Sequence, residues 1–242
     1  MRYCIFSDVH SNLEALDAVI SASRIEGIDK YLCAGDLVGY AANPNECVAG
    51  VRSLGAISVA GNHDWASLGL FPVEYFNLQA AKSIMWTKCR LDDLSKEILR
   101  SLPLSYEDEY LTLVHASLDA PHLFNYILDA DSSRNSFKLL QTKICFIGHT
   151  HVPLVFSMNE NGRIDCSGDT EVKIDDGKRY IINVGSVGQP RDGIPCASFC
   201  IYDTGLRQVS IKRIAFDYKL TRQKILDVGL PRSLGDRLLS GR

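Results

Sequence analysis

No run of this 242-residue chain approaches the roughly 18 consecutive apolar residues of a membrane span. The N-terminal MRYCIFSDVHSNLEAL has too short an apolar stretch for a secretory signal and no small-residue cleavage site. The expected partners therefore include no membrane, and the expected location is the cytoplasm. Positive charge is not in surplus either, since 26 Lys and Arg against 29 Asp and Glu leave a net charge of -3. Neutralising a run of phosphates needs the opposite balance, which excludes duplex nucleic acid as a partner. The eight cysteines are scattered and contain no C-x-x-C pair, which excludes a disulfide scaffold. They read as small hydrophobes on buried strands, best at Cys4, Cys33 and Cys145, each inside a short apolar run. Repeats, linkers and low-complexity tracts are absent too. One domain over residues 1–242 is expected, and 46% hydrophobic content is enough for a large core.

What is present is a rhythm. Short apolar, β-rich runs alternate with segments of helical period: RYCIFSD then SNLEALDAVISASRIEG, KYLCAGD then NPNECVAGVRSL, and then AISVAGN. That is the order of a parallel sheet covered by helices. Gly27 is the expected C-cap of the first helix, and Asn43-Pro44 the expected start of the second. VEYFNLQAAKSIMWTKC and LDDLSKEILRSL read as two further helices, YLTLVHAS as a strand, and residues 131–141 as a third helical stretch. Beyond KICFIGHTHVPLVFS the pattern changes to strands KRYIINVGS, CASFCIYD and RQVSIKRIAF with turn signals at Asn161-Gly162, Asp176-Gly177 and Asp203-Thr204-Gly205. A parallel half followed by a hairpin-rich half predicts two sheets packed face to face with helices outside. The C-terminal KLTRQKILDVGLPRSLGDRLLSGR predicts a docked helix with a frayed tail.

Five motifs each follow an apolar run: Asp8-Val9-His10, Gly35-Asp36, Gly61-Asn62-His63-Asp64, His115, and Gly148-His149-Thr150-His151. Strand ends are where α/β sheets build their sites. Of the six histidines, only His122 lies outside these motifs. A single Asp-x-His means little, but Gly-Asn-His-Asp has a chance expectation on the order of one in a thousand in such a chain. Imidazole and carboxylate together suit Mn, Fe, Co, Ni and Zn, whereas an all-oxygen set would suit Mg or Ca. At a strand end residues i and i+2 point the same way, so Asp8 with His10 can grip one ion, as can two side chains of His149-Thr150-His151. Glycines before Asp36, Asn62 and His149 would let the backbone turn sharply and approach the ions.

This ordered set resembles the calcineurin-like metallophosphoesterases, whose five signature blocks all find a counterpart between residues 8 and 151. NVGSVGQPRDG, residues 183–193, is similar to a loop of the small bacterial and archaeal branch, with Val184 where a proline is common. The resemblance implies an α/β fold, a four-layer αββα sandwich of two packed mixed sheets, around a binuclear site. Asp8, His10 and His151 would hold one metal, Asn62, His115 and His149 the other, and Asp36 would bridge them. Mn is the first expectation for both ions. His63 would be catalytic, giving a proton to the leaving oxygen or stabilising charge there. Asp64 would either orient His63 or be a solvated loop carboxylate.

Departures from the pattern narrow the subclass. Protein serine/threonine phosphatases carry an arginine just before Gly-Asn-His and Asp-Arg-Gly after the bridging aspartate, where this chain has Val59-Ala60 and Leu37-Val38-Gly39-Tyr40. The metal-binding tyrosine of purple acid phosphatases has no counterpart at its spacing from Asp36. What the resemblance implies is a metal-dependent phosphoesterase in which two ions activate a bridging water for in-line displacement. Its expected partner is a small-molecule phosphate ester or nucleotide, with phosphodiester hydrolysis first. Hydrolysis of dinucleoside polyphosphates or of small monoesters is the alternative. A catalytically silent scaffold of the same fold would have an apolar residue in place of His63. Arg191, in the Gln-Pro-Arg-Asp-Gly turn, reads either as a phosphate clamp or as an exposed turn arginine. Tyr75, Phe76, Ile84, Met85 and Trp86 read as helix core, with a substrate cap or base-stacking face as the other reading. His122 reads as a surface residue.

Overall fold

The computed structural model describes residues Met1–Arg242. Strands β1 (Arg2–Phe6), β2 (Lys30–Cys33) and β3 (Ile57–Ser58) pair in parallel, with Tyr3 opposite Lys30 and Leu32 opposite Ile57. Helices α1 (Leu13–Ser23) and α2 (Pro44–Ser53) are the crossovers between them. Asn12 starts α1 by accepting the Ala15 N–H on its side chain, and Gly27 ends the following 3-10 turn in the left-handed conformation at φ 64°. Asn43 precedes α2 as expected, but its amide reaches Glu46 (3.1 Å) and caps no backbone N–H.

The chain continues through α3 (Asn62–Leu68), α4 (Leu78–Arg90), α5 (Asp93–Ser101), β4 (Ser105–Glu107), β5 (Thr112–Val114), α6 (Ala130–Leu139) and β6 (Ile144–Ile147). Strands β7 (Leu154–Asn159), β8 (Ile164–Ser167), β9 (Glu171–Lys173), β10 (Lys178–Asn183), β11 (Ala197–Asp203) and β12 (Gln208–Ile214) follow. They form two six-stranded sheets, ordered β3-β2-β1-β11-β12-β9 and β4-β5-β6-β10-β7-β8. Both sheets are mixed, as expected, but neither belongs to one half of the sequence. β11 lies antiparallel to β1 in one sheet, while β10 lies parallel to β6 in the other.

Side-chain alternation builds four layers. Tyr3, Ile5 and Leu32 point between the sheets and meet Leu113, Ile144, Phe146 and Ile182 from the other sheet. Cys4, Phe6 and Cys33 point outward against Leu16, Val19, Val48 and Val51 of α1 and α2. On the far face, Cys145, Ile147 and Ile181 meet Phe137 of α6. The cysteine expectation is met at Cys4, Cys33, Cys145 and Cys200, whereas Cys47 is buried on helix α2 and Cys89 and Cys166 are exposed.

Two expectations need correction. The segment VEYFNLQAAKSIMWTKC, residues 73–89, is not one helix: Val73–Tyr75 is a 3-10 turn, and Asn77 starts α4 by accepting the Gln79 and Ala80 N–H groups. Tyr75 and Phe76 therefore lie off the helix, while Ile84 is in the core. The C-terminus does not fray. It forms α7 (Tyr218–Asp227), α8 (Arg232–Asp236) and a last 3-10 turn, with Leu234 and Leu238 buried and the Gly241 carbonyl accepting from Gly193 N–H at 2.8 Å. No helix is long and apolar enough to cross a membrane.

Phe146 is fully buried between the sheets. Phe146→Ala is expected to cost about 3–5 kcal/mol, the usual range for emptying a core aromatic site, measured as a fall in the urea midpoint at unchanged slope.

Candidate metal centre

All five motifs meet at one end of the two sheets. Asp8 and His10 follow β1, Asp36 follows β2, Asn62 and His63 open α3 after β3, His115 follows β5, and His149 and His151 follow β6. All eight side chains are buried. Pleat alternation is not what aims them. The strands have ended, and Asp8, His10, Asp36, His149 and His151 all adopt left-handed backbone, with φ of 55°, 49°, 54°, 69° and 62°. Non-glycine residues avoid this region, so the surroundings must impose it. Backbone bonds between loops do so: Asp8 N–H donates to Gly35 O, His10 N–H to Asp36 O and Ser11 N–H to Leu37 O, each at 3.0 Å.

The polar atoms converge in two trios. In the first, Asp8 Oδ1 lies 3.4 Å from His151 Nε2 and 3.7 Å from His10 Nε2, and the two imidazole nitrogens are 3.1 Å apart. In the second, His115 Nε2 lies 3.1 Å from both Asn62 Oδ1 and His149 Nδ1. Asp36 Oδ2 stands between them, 3.6 Å from His10 Nε2 and 3.4 Å from His115 Nε2. Ligands held about 2.0–2.2 Å from one ion lie about 3.0–3.5 Å from each other in tetrahedral or octahedral arrangement. The observed edges match that spacing closely.

The outer nitrogens orient the rings. His10, His115 and His151 place Nδ1 3.1, 2.7 and 2.6 Å from the carbonyls of Val38, Ala34 and Gln189. Each Nδ1–H donates outward, which leaves the Nε2 lone pair facing the centre, the arrangement found around metal-bound histidine. Asp8 Oδ1, one of the converging atoms, is buried without a hydrogen-bond partner. Buried polar atoms are seldom left so, and a cation is a partner of the right charge. The donor set thus fits two divalent ions of the Mn, Fe, Co, Ni or Zn kind.

The sequence matches the calcineurin-like phosphoesterase superfamily domain over residues 1–206. The chain belongs to that superfamily. An uncharacterized protein of Methanocaldococcus jannaschii is 41% identical over 98% of this chain and 97% of its own length. A metallophosphoesterase from Sphaerobacter thermophilus superposes with a TM-score of 0.88 at 38% identity, covering 100% of this chain and 99% of that one. A hypothetical protein from Pyrococcus horikoshii shares the fold, with a TM-score of 0.82 at 19% identity over 100% and 98% of the two chains.

Around this phosphoesterase centre the electrostatics follow from dryness. Burial pushes Asp36 upward, but the charge and hydrogen bond of His115, with His63 and His10, outweigh it and hold the carboxyl well below its usual value. For His115, burial pulls down and the Asp36 charge pulls up more, raising it to about 9. His63 goes the other way, lowered to about 3 chiefly by burial. Asp64 meets neither expectation: it is buried, and its carboxylate accepts the N–H groups of Asp36 (2.9 Å), Gly61 (3.0 Å) and Val38 (3.2 Å) instead of touching the His63 ring. Burial, then the Asp36 charge, raise it to about 7.

The motif glycines act mostly by size. Gly35 does take left-handed backbone at φ 91°, but Gly61 and Gly148 do not. A side chain at Gly61 would collide with Asp36, and one at Gly148 with Ser7 and Asp8. A cavity of about 490 Å³ opens over the centre, lined by Asp36, Asn62, His63, His149 and His151 on one side. Arg191 lines it too, its Nη2 donating to Tyr40 Oη (3.1 Å) and Gln189 Oε1 (3.0 Å), so it is not a free turn arginine. Sequence reasoning overlooked Tyr40, Phe71, Phe124 and Tyr126, which also line the cavity. The only signal was a run of aromatics in PHLFNYIL without helical or strand period. His122 is exposed, as expected.

Without metal, His115 holds a proton below about pH 9. A cation must displace that proton, so binding is strongest above this pH and weakens as pH falls. Mn titrations of chelator-treated protein should show affinity dropping up to about tenfold per unit between pH 9 and pH 7, and the dependence should flatten in His115→Asn.

Proposed function

We propose that the protein is a phosphoesterase that uses two divalent metal ions, Mn foremost, and acts on phosphodiesters or internal phosphoanhydrides in preference to small monoesters. The observation that carries this reading is the shared carboxylate: Asp36 Oδ2 faces both histidine trios at once, through His10 and His115. Asp8, His10 and His151 would hold one ion, Asn62, His115 and His149 the other, with Asp36 between. Bound there, the ions supply Lewis acidity at the phosphoryl oxygens and a water of lowered pKa.

The chain's own groups do the rest. Asp64 fixes the Asp36 loop to the start of α3, and so sets the distance between the bridging carboxylate and His63. His63 lines the cavity, and its backbone N–H donates to Asp36 Oδ1 at 2.8 Å. Its ring packs against Tyr40 and Phe76, with centroids 4.5 and 4.9 Å away. These neighbours hold it beside the centre, where, as the neutral imidazole that burial favours, it can give a hydrogen bond to the leaving oxygen and stabilise charge there. We read residues 1–242 as one such domain, because Thr221 of α7 bonds both Asn12 (3.0 Å) and Glu14 (2.9 Å) of the N-terminal half.

Charge sets the preference. Two divalent ions bring four positive charges, Asp8 and Asp36 remove two, and the other proposed ligands are neutral. An anionic nucleophile and a singly charged diester complete the balance, whereas a doubly charged monoester exceeds it. In a partly desolvated site such a mismatch is felt strongly. Arg191 is the one Lys or Arg in the cavity lining and the only group there that offsets the excess.

Hydrolysis of bis-p-nitrophenyl phosphate should vanish with chelator and return with Mn. His63→Ala should cut turnover by roughly two to four orders of magnitude while metal content by mass stays near wild type. Asp36→Ala should lose both, and a His63→Ala protein empty of metal would reverse the role assignment. On matched aryl esters the diester should show the higher kcat/KM. A monoester preference that persists in Arg191→Ala would refute the charge argument, and one that disappears there would identify Arg191 as a phosphate clamp.

A further inference from the structure

The metal ligands and His63 account for only one side of the cavity. The opposite wall is Phe71, Tyr75, Phe76, Leu123, Phe124 and Tyr126, from the segment before α4 and the segment after β5. The rings run continuously outward from the metal ligands. Tyr126 stacks on His149 with centroids 4.0 Å apart and planes at 25°, and Phe124 meets the His115 ring at 5.9 Å. Phe71 meets Phe124 edge-on at 5.2 Å, and Phe76 spans Phe71 and His63 at 5.9 and 4.9 Å.

Phe124 is buried and Phe76 packs against a core cluster, but the outer part of the wall is open. Tyr75 is 77% exposed, Leu123 52% and Tyr126 51%. Its backbone is also held at a cost, since Ala120 and Phe124 sit in left-handed conformation at φ 49° and 52°. Open aromatic faces fixed in this way are pre-formed surfaces for a planar group.

The other lining residues say which planar group. Arg191 is the only Lys or Arg in the cavity, so the wall is not built for an acidic chain. An alkyl chain would need no amides, yet Asn77 and Asn125 both line the cavity. The Asn77 oxygen is spent on capping α4, which leaves its NH2 group free, and the exposed Asn125 side chain has no protein partner. A flat ring with a polar edge answers both features. A substituent esterified to a phosphate at the centre would run along this wall.

We propose that the wall is a base-binding subsite, with a nucleobase stacked on Tyr75 and Tyr126 and its edge toward Asn77 and Asn125. This rests on the phosphoesterase reading and names its substrate class as nucleotide esters.

Calorimetry on the Mn-loaded protein, comparing adenosine monophosphate with ribose 5-phosphate, isolates the base, because the two share the same phosphate monoester. The nucleotide should bind at least about tenfold more tightly, within the range of one base–aromatic stack. Tyr75→Ala and Tyr126→Ala should bring the ratio to about threefold or less, and Tyr75→Phe should keep it, because stacking needs the ring and not the hydroxyl. Equal affinities in the wild type would overturn the subsite while diester turnover left the phosphoesterase reading intact. Absence of both binding and turnover would overturn both. A Tyr75→Ala change that splits a dimer in sedimentation and leaves the ratio unchanged would make the wall a contact between copies, and would also overturn the subsite.

Discussion

Carboxylates and imidazoles crowded into a dry pocket lose the water that would solvate them, and holding them there before an ion arrives is the constraint that orders this molecule. The atoms that would greet the ion are buried, and Asp8 Oδ1 has no other partner. The cost is met by the loops. Their backbones continue the parallel ladder past the strand ends, so that β1 and β2 remain tied through Ser11 and Leu37 while the side chains turn inward. Asp64 joins the third loop to the second with three backbone N–H bonds, one buried carboxylate holding the bridge and the start of α3 in fixed relation. Left-handed backbone at five ligand positions is the visible trace of this work.

Much of the site could be read from the sequence because metal chemistry restricts residue type. Few arrangements other than a binuclear centre explain five histidines and two aspartates placed after successive apolar runs. Asp8 and His10 converge through turns and not through the strand pleating that their i, i+2 spacing suggests. Helix starts at Asn12 and Asn77 and the cap at Gly27 obey local rules, and are legible to that extent. Which strands share a sheet is not local. β10 joins β6 and β11 joins β1 because of how apolar faces pair across distance, and nothing in either run names its neighbour. The aromatic wall escaped for a similar reason: Phe124 and Tyr126 lie in an irregular loop, where no period tells buried from open.

The residues after 206, outside the family match, do more than finish the chain. Arg237 reaches Gln189 Oε1 (3.3 Å), the same oxygen that receives Arg191, and Gly241 receives the N–H of Gly193. The C-terminal helices thus brace the turn that carries Arg191, and tie a cavity residue to a part of the chain far from the histidine motifs. Truncation there reaches the site through Gln189 without removing any ligand.

Each trio of ligands draws on both sheets. Asp8 and His10 come from the sheet of β1, and His151 from the sheet of β6; Asn62 comes from the first, and His115 and His149 from the second. An ion in either place would therefore be a rivet through two layers otherwise joined by side-chain packing and a few hydrogen bonds, such as His149 N–H to Asp8 Oδ2 at 3.0 Å. It closes chain loops of very unequal length, and none of them exists until both layers have met. Metals bound there would thus join late in assembly, and once seated would hold that edge of the sandwich closed.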